Sequence, residues 1–145
     1  MKVKNMMHRG VQFVEPGAKI AAIAKIAAIA AKMQQHDIGA IPVCDNGKPI
    51  GMVTDRDITI RALANGKDAA KLTAKDVMTA KVIYCRDSAE AEDAIRIMES
   101  KQIRRLPVLD DTGELVGMLS LGDVSHAMTQ NLTGEVTRAV SAHHA

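Results

Sequence analysis

Two short segments place a hydroxyl and a carboxylate three residues apart behind a glycine. They are Gly51-Met52-Val53-Thr54-Asp55-Arg56-Asp57 and Gly117-Met118-Leu119-Ser120-Leu121-Gly122-Asp123. At the opening of a helix, residues i and i+3 share one face of the first turn. One chemistry this permits is local: Thr54 or Ser120 accepts a backbone N–H, and the aspartate complements the helix dipole. The other is recognition. A carboxylate can accept hydrogen bonds from both hydroxyls of a ribose, and a helix N-terminus beside it suits a phosphate. The glycine would then let a ligand come close to the backbone. Arg104-Arg105, just ahead of Leu106-Pro107, adds two guanidiniums at a strand mouth. They are either a solvated surface pair or a phosphate clamp, with charge-assisted bonds worth roughly 1.5–3 kcal/mol each. The corresponding residues of the earlier segment, Gly39 and Ala40, carry no charge, so two such sites would not be equivalent.

No nucleophile, general base or metal set accompanies these groups, and the reading is of a protein without catalytic residues. His8, His36, His126, His143 and His144 include no pair at helical i,i+3 or i,i+4 spacing, so capping or surface roles are expected and no metal. Cys44 and Cys85 lie far apart without metal-ligand spacing and read as reduced, buried thiols of a cytoplasmic protein. Glu90, Glu92, Asp93 and Glu99 form a solvated acidic helix face. The 145 residues are 47% apolar and 25% charged, which argues against disorder. A net charge of +2, with one Phe, one Tyr and no Trp, disfavours a phosphate-tracking or base-stacking nucleic-acid surface. No apolar run reaches the roughly 20 residues of a membrane span, and no signal peptide is evident.

The elements that must position the motifs occur twice. Ile38-Gly39-Ala40-Ile41-Pro42-Val43-Cys44-Asp45 is matched by Ile103-Arg104-Arg105-Leu106-Pro107-Val108-Leu109-Asp110. Asn46-Gly47 and Thr112-Gly113 tips between apolar runs signal hairpins, with strands at 41–44 and 50–53, and again at 106–109 and 115–119. Helices are expected to open near Thr54 and Ser120. Each copy also has an earlier strand (11–14 and 81–85) and an earlier helix. The second of these helices is predicted to start at Asp87-Ser88, with Ala91, Ala94, Ile95 and Met98 facing the core. The fold class is therefore α+β: two pseudo-symmetric β-α-β-β-α repeats packed as one body, at 1–66 and 67–145. The second repeat also carries a helical tail that breaks near Thr133-Gly134.

One irregularity interrupts the symmetry. Lys19-Ile20-Ala21-Ala22-Ile23-Ala24 is followed at once by an identical Lys25-Ile26-Ala27-Ala28-Ile29-Ala30. Six extra residues lengthen a helix by about 9 Å and change its phase by about 240° net. Either the helix starts earlier or part of the insert is extruded; helix propensity favours one long helix from about Gly17 to His36. The strand at 11–14 is then expected to be pushed aside or swapped onto a partner chain.

These motifs resemble the cystathionine-β-synthase (CBS) domain family over nearly the whole chain, as a tandem pair or Bateman module. The resemblance rests on Asp76-Val77-Met78-Thr79, the two Ile-x-x-(Ile/Leu)-Pro-Val-h-Asp segments and the two Gly-h-h-(Thr/Ser)-x-x-Asp segments. It implies a stand-alone, often dimeric regulatory module that binds adenosine nucleotides in clefts between the repeats. Asp would hold the ribose, Ser/Thr the phosphate region, and basic residues before Leu-Pro the phosphate. Carried over, one cleft would use Met52, Thr54, Arg56 and Asp57, with Thr79, Val82, Ile83, Ile103, Arg104 and Arg105 as its other wall. The mirror cleft would pair Met118, Ser120 and Asp123 with His8, Val11, Ile38, Gly39 and Ala40. It departs from the pattern, since Asn5-Met6-Met7-His8 replaces Asp-Val-Met-Thr and the arginines are missing. The expected ligand is AMP, ADP or ATP at the Asp57 cleft, with a homodimer reporting to itself or to an effector protein. NAD or S-adenosylmethionine as ligand, or a ligand-free assembly scaffold, are the alternatives.

Overall fold

The computed structural model describes residues 1–21, 28–127, 138 and 140. The chain divides into two compact units, Gln12–Val82 and a second made of Met1–Val11 with Ile83–Ala145. The division crosses the sequence repeats. The segment that opens each repeat packs in the unit that holds the other repeat's hairpin: Thr79 pairs with Met52, and His8 with Met118.

In the unit Gln12–Val82, β1 (Ala40–Asp45) and β2 (Lys48–Thr54) form an antiparallel hairpin. Its turn needs two left-handed residues, and Asn46 (φ 51°) and Gly47 (φ 80°) supply them. Val14 bridges Val43 in parallel on the outer side of β1. Helix α1 (Ile29–His36) ends where Asp37 turns left-handed, and α2 (Asp55–Asp57) runs on as a π-helix, Ile58–Leu63. The short α3 is Ala74–Val77. Ile20, Ile29, Ile41, Val43, Val53 and Val77 fill the core between hairpin and helices.

The second unit repeats the plan. β3 (Cys85–Arg86) lies parallel to β4 (Arg105–Leu109), which pairs antiparallel with β5 (Leu115–Ser120). Helix α4 (Ala91–Lys101) buries Ala91, Ala94, Ile95 and Met98, the stripe its periodicity predicts. Helix α5 is Leu121–Ala127, and a 3-10 turn, Val3–Asn5, stands where the other unit has α3. The described part of the expected C-terminal tail is α5 with residues 138 and 140; the break at 133–134 lies outside it. Among the described residues no helix is long and apolar enough to cross a membrane.

Four local expectations are corrected. The early strands are shorter than predicted, since only Val14 and Cys85–Arg86 form ladder bonds. Helix α4 begins at Ala91 rather than at Asp87-Ser88, because the Asp87 and Ala89 carbonyls accept from Lys4 and Val3 and the chain there cannot coil. The long helix through the duplication is absent, since residues 18–21 and 28 are not helical. Instead the first turn closes across the insert: Ile29 N–H donates to Lys19 O at 2.9 Å and Ala30 N–H to Ile20 O at 3.1 Å. Nor is the early strand displaced. Val14 meets Val43 as Cys85 meets Val108, the same register in both copies. Keeping the core helix in phase outweighs the propensity of six more helical residues, because a 240° rotation would turn its buried face outward.

Both cysteines are free and buried, as expected of reduced thiols. Burial pushes the thiols of Cys44 and Cys85 up to about 11. A pKa raised in the folded state gives stability that is complete below the unfolded value near 9 and lost as pH rises through 11. The melting temperature is therefore expected to hold steady up to pH 9 and then fall, with a Cys44→Ala/Cys85→Ala chain falling less. An equal fall in both chains would show that the thiols are not responsible.

Candidate functional site

The backbone sets the site before any side chain does. β2 ends at Thr54, opposite Ala40, and Asp55 N–H donates to Gly39 O at 2.9 Å, so the chain turns into α2 beside the mouth of β1. β5 and α5 repeat this: Ser120 lies opposite Arg105, and Leu121 N–H donates to Arg104 O at 2.9 Å.

Each hydroxyl–carboxylate pair forms a reciprocal capping box. Thr54 N–H donates to Asp57 Oδ2 (2.9 Å) and Asp57 N–H to Thr54 Oγ1 (3.0 Å). Ser120 N–H donates to Asp123 Oδ2 (2.8 Å) and Asp123 N–H to Ser120 Oγ (3.1 Å). The local chemistry of the motif is thus realised in both copies, and it uses one carboxylate oxygen of each aspartate. What the other oxygen meets differs. Asp123 Oδ1 lies 2.8 Å from His8 Nε2, whereas among the described residues Asp57 Oδ1 has only Arg61 Nε, at 4.0 Å. Both carboxylates are sheltered, with 14% of the Asp57 side chain and 9% of the Asp123 side chain exposed.

The motif glycines serve the fold rather than a ligand, which corrects the expectation above. A Cβ on Gly51 would stand 2.9 Å from Thr79 O and 2.5 Å from Met78 Sδ; on Gly117, 2.7 Å from His8 O and 2.6 Å from Met7 Sδ. The opening segment of the other repeat crosses each glycine and exchanges two backbone hydrogen bonds with the following Met52 or Met118, all of 2.8–3.0 Å. In Asp76-Val77-Met78-Thr79 every residue has a structural task. Asp76 accepts from Thr73 N–H (2.8 Å) and Thr73 Oγ1 (3.0 Å), and these bonds hold its carboxyl below the ordinary value. Val77 is buried, Met78 covers Gly51 and Thr79 pairs with Met52.

The units sort the sequence-derived candidates. Gln12–Val82 contains Met52, Thr54, Arg56, Asp57, Thr79 and Val82, together with Ile38, Gly39 and Ala40. The other unit contains Met118, Ser120, Asp123, His8 and Val11, together with Ile83, Ile103, Arg104 and Arg105. Hence the arginine pair shares a unit with Asp123, while the mouth beside Asp57 is Gly39, 3.2 Å from the Asp55 carboxylate if given a Cβ. Arg104 and Arg105 are exposed and make no ion pair among the described residues. One residue the motif reading missed is Arg61. Its guanidinium donates to Val77 O (3.0 Å) and Met78 O (2.7 Å) while facing Asp57, tying the opening segment to the helix of the carboxylate. Its i,i+4 spacing from Asp57 was the available signal. The other unit has Ala127 in its place.

A family model described as the CBS domain matches residues 3–63 and again 74–130. The chain belongs to the CBS domain family. CBS domain-containing protein YhcV of Bacillus subtilis is 36% identical over 140 residues, 96% of this chain and 94% of that protein. Hypoxic response protein 1 of Mycobacterium tuberculosis is 34% identical over 116 residues, 79% of this chain and 80% of that one. A crystal structure of Hypoxic Response Protein I with two coordinated zinc ions superposes with a TM-score of 0.77 at 32% identity, covering 89% of this chain and all of that one. The α+β architecture with two CBS segments is thus that of CBS-pair proteins. Among the described residues of this CBS chain, no group of three His, Cys, Asp or Glu side chains could hold a metal ion.

Proposed function

We propose that this CBS pair is a regulatory module that binds an adenine nucleotide (AMP, ADP or ATP) and performs no chemistry on it. The observation that carries the reading is the sheltered Asp57 carboxylate. Its Oδ2 completes a capping box, and its Oδ1 has no direct hydrogen bond among the described residues. An ionised oxygen fixed in that way is prepared to accept ribose hydroxyls. Thr54 and the helix start beside it favour the phosphate side. Asp123 is the weaker candidate, because His8 already occupies its second oxygen. We assign a homodimer to the same reading: Ile60 and Leu63 of the π-helix are exposed apolar residues suited to self-association. Signals would pass to the dimer or to an effector protein.

A ligand-free scaffold is the second reading, favoured by the fact that both capping boxes are complete as helix caps. Thermal unfolding with AMP, ADP, ATP, NAD and S-adenosylmethionine separates the two. A ligand that binds only the folded state raises the melting temperature in proportion to RT ln(1 + [L]/Kd), about 2.7 kcal/mol at a hundredfold excess over Kd. A rise with the adenine mononucleotides is expected. No rise with any of the five would leave the scaffold, and sedimentation of the same samples reads the dimer.

A further inference from the structure

We propose that His8 is a displaceable plug on the second carboxylate. Its imidazole covers the Asp123 oxygen that a ribose diol needs, so a site at Asp123 is masked and a nucleotide must expel the ring to enter it. The inference rests on the nucleotide reading above and assigns the regulation of its weaker carboxylate. The two repeats supply the comparison. Thr79 exchanges two backbone hydrogen bonds with Met52, and His8 exchanges two with Met118, at 2.8 and 2.9 Å. The two residues therefore hold equivalent stations, each in the unit of one carboxylate. Each capping box uses Oδ2 of its aspartate, which leaves Oδ1 as the free acceptor. Thr79 does not reach that oxygen: among the described residues Asp57 Oδ1 meets only Arg61 Nε, at 4.0 Å. An imidazole carries its outer nitrogen farther from the backbone, and His8 Nε2 stands 2.8 Å from Asp123 Oδ1.

The plug is removable because its two halves are held unequally. The Asp123 side chain is 9% exposed and fixed by its capping box, whereas the His8 side chain is 78% exposed. The ring enters no other ion pair among the described residues. With the His8 backbone pinned to Met118, the ring can leave by rotating between side-chain wells while the strand pairing stays. An exposed pair of this kind favours the closed form only modestly. An imidazole brings one N–H to the oxygen, whereas a vicinal diol brings two hydroxyls, so a ribose can outcompete the ring. The masking lowers apparent affinity by the fraction of molecules in which the ring is out.

The test uses the full chain carrying Asp57→Ala, which silences the other carboxylate, with AMP as the calorimetric probe. His8→Thr, which installs the residue of the equivalent station, and His8→Ala are each added to it. Both are expected to tighten AMP binding about fivefold, the gain when a site open about a fifth of the time becomes always open. Both should shift the melting temperature by less than about 4 °C, since only an exposed pair is lost. Adding Asp123→Ala should abolish the gain, which a general loosening of the fold would not do. The proposal is overturned if neither His8 variant binds AMP more tightly, or if the gain survives Asp123→Ala. The parent chain keeps the two readings apart. AMP bound through Asp57, with no gain on replacing His8, removes the plug and leaves the nucleotide reading; a gain through Asp123, with no role for Asp57 in the parent, keeps the plug and removes the Asp57 assignment.

Discussion

Gly51→Ala and Gly117→Ala should each destabilise the protein by about 2–3 kcal/mol, the upper part of the range for forcing an extra carbon into a packed site. For a chain of this length that is a fall in melting temperature of roughly 6–15 °C. The thioethers of Met78 and Met7 can swing aside, but the carbonyls of Thr79 and His8, at 2.9 and 2.7 Å from the new Cβ, cannot move alone. Each belongs to a pair of backbone hydrogen bonds with Met52 or Met118, so relief means parting the opening segment from the hairpin. Gly17 is the control: nothing lies within 4 Å of a Cβ there and its φ is not left-handed, so Gly17→Ala should be neutral or slightly stabilising. Melting curves in which all three variants coincide with the parent would refute the close-approach argument.

Asp57→Ala should weaken AMP binding tenfold or more in calorimetry, while lowering stability by only about 1 kcal/mol. The binding loss follows from removing one or more charge-assisted hydrogen bonds of roughly 1.5–3 kcal/mol each. The stability loss is that of half a capping box, because Asp57 N–H can still donate to Thr54 Oγ1. Asp123→Ala should cost at least as much stability and much less affinity, since the Asp123 oxygen left over by its box already faces His8. Unchanged AMP affinity in Asp57→Ala, with the cap loss present, would leave Asp57 as a helix cap and nothing more.

Much of this architecture is legible in the residues. The Asn46-Gly47 and Thr112-Gly113 turns, the paired strands around Pro42 and Pro107, and the buried stripe of α4 all follow from short-range rules. Each depends on residues only a few positions apart: left-handed turn residues, alternating burial, or apolar side chains every three to four residues. The hydroxyl–carboxylate motifs were likewise visible as capping boxes, for the same reason.

The sequence by itself determined the repeat, its hairpins, its caps and the presence of six surplus residues, because all of these are written within a few turns of chain. Only the tertiary structure decided where helix α1 starts, what the motif glycines are for and which charges share a unit. Helix α1 starts only at Ile29 because Ile20 and Ile29 must both face the core, a demand helix propensity does not contain. The glycines answer to the Thr79 and His8 carbonyls, dozens of residues away in the chain. And His8 lies in the unit of Asp123 because each repeat's opening segment packs in the unit of the other's hairpin, an exchange that no local spacing encodes.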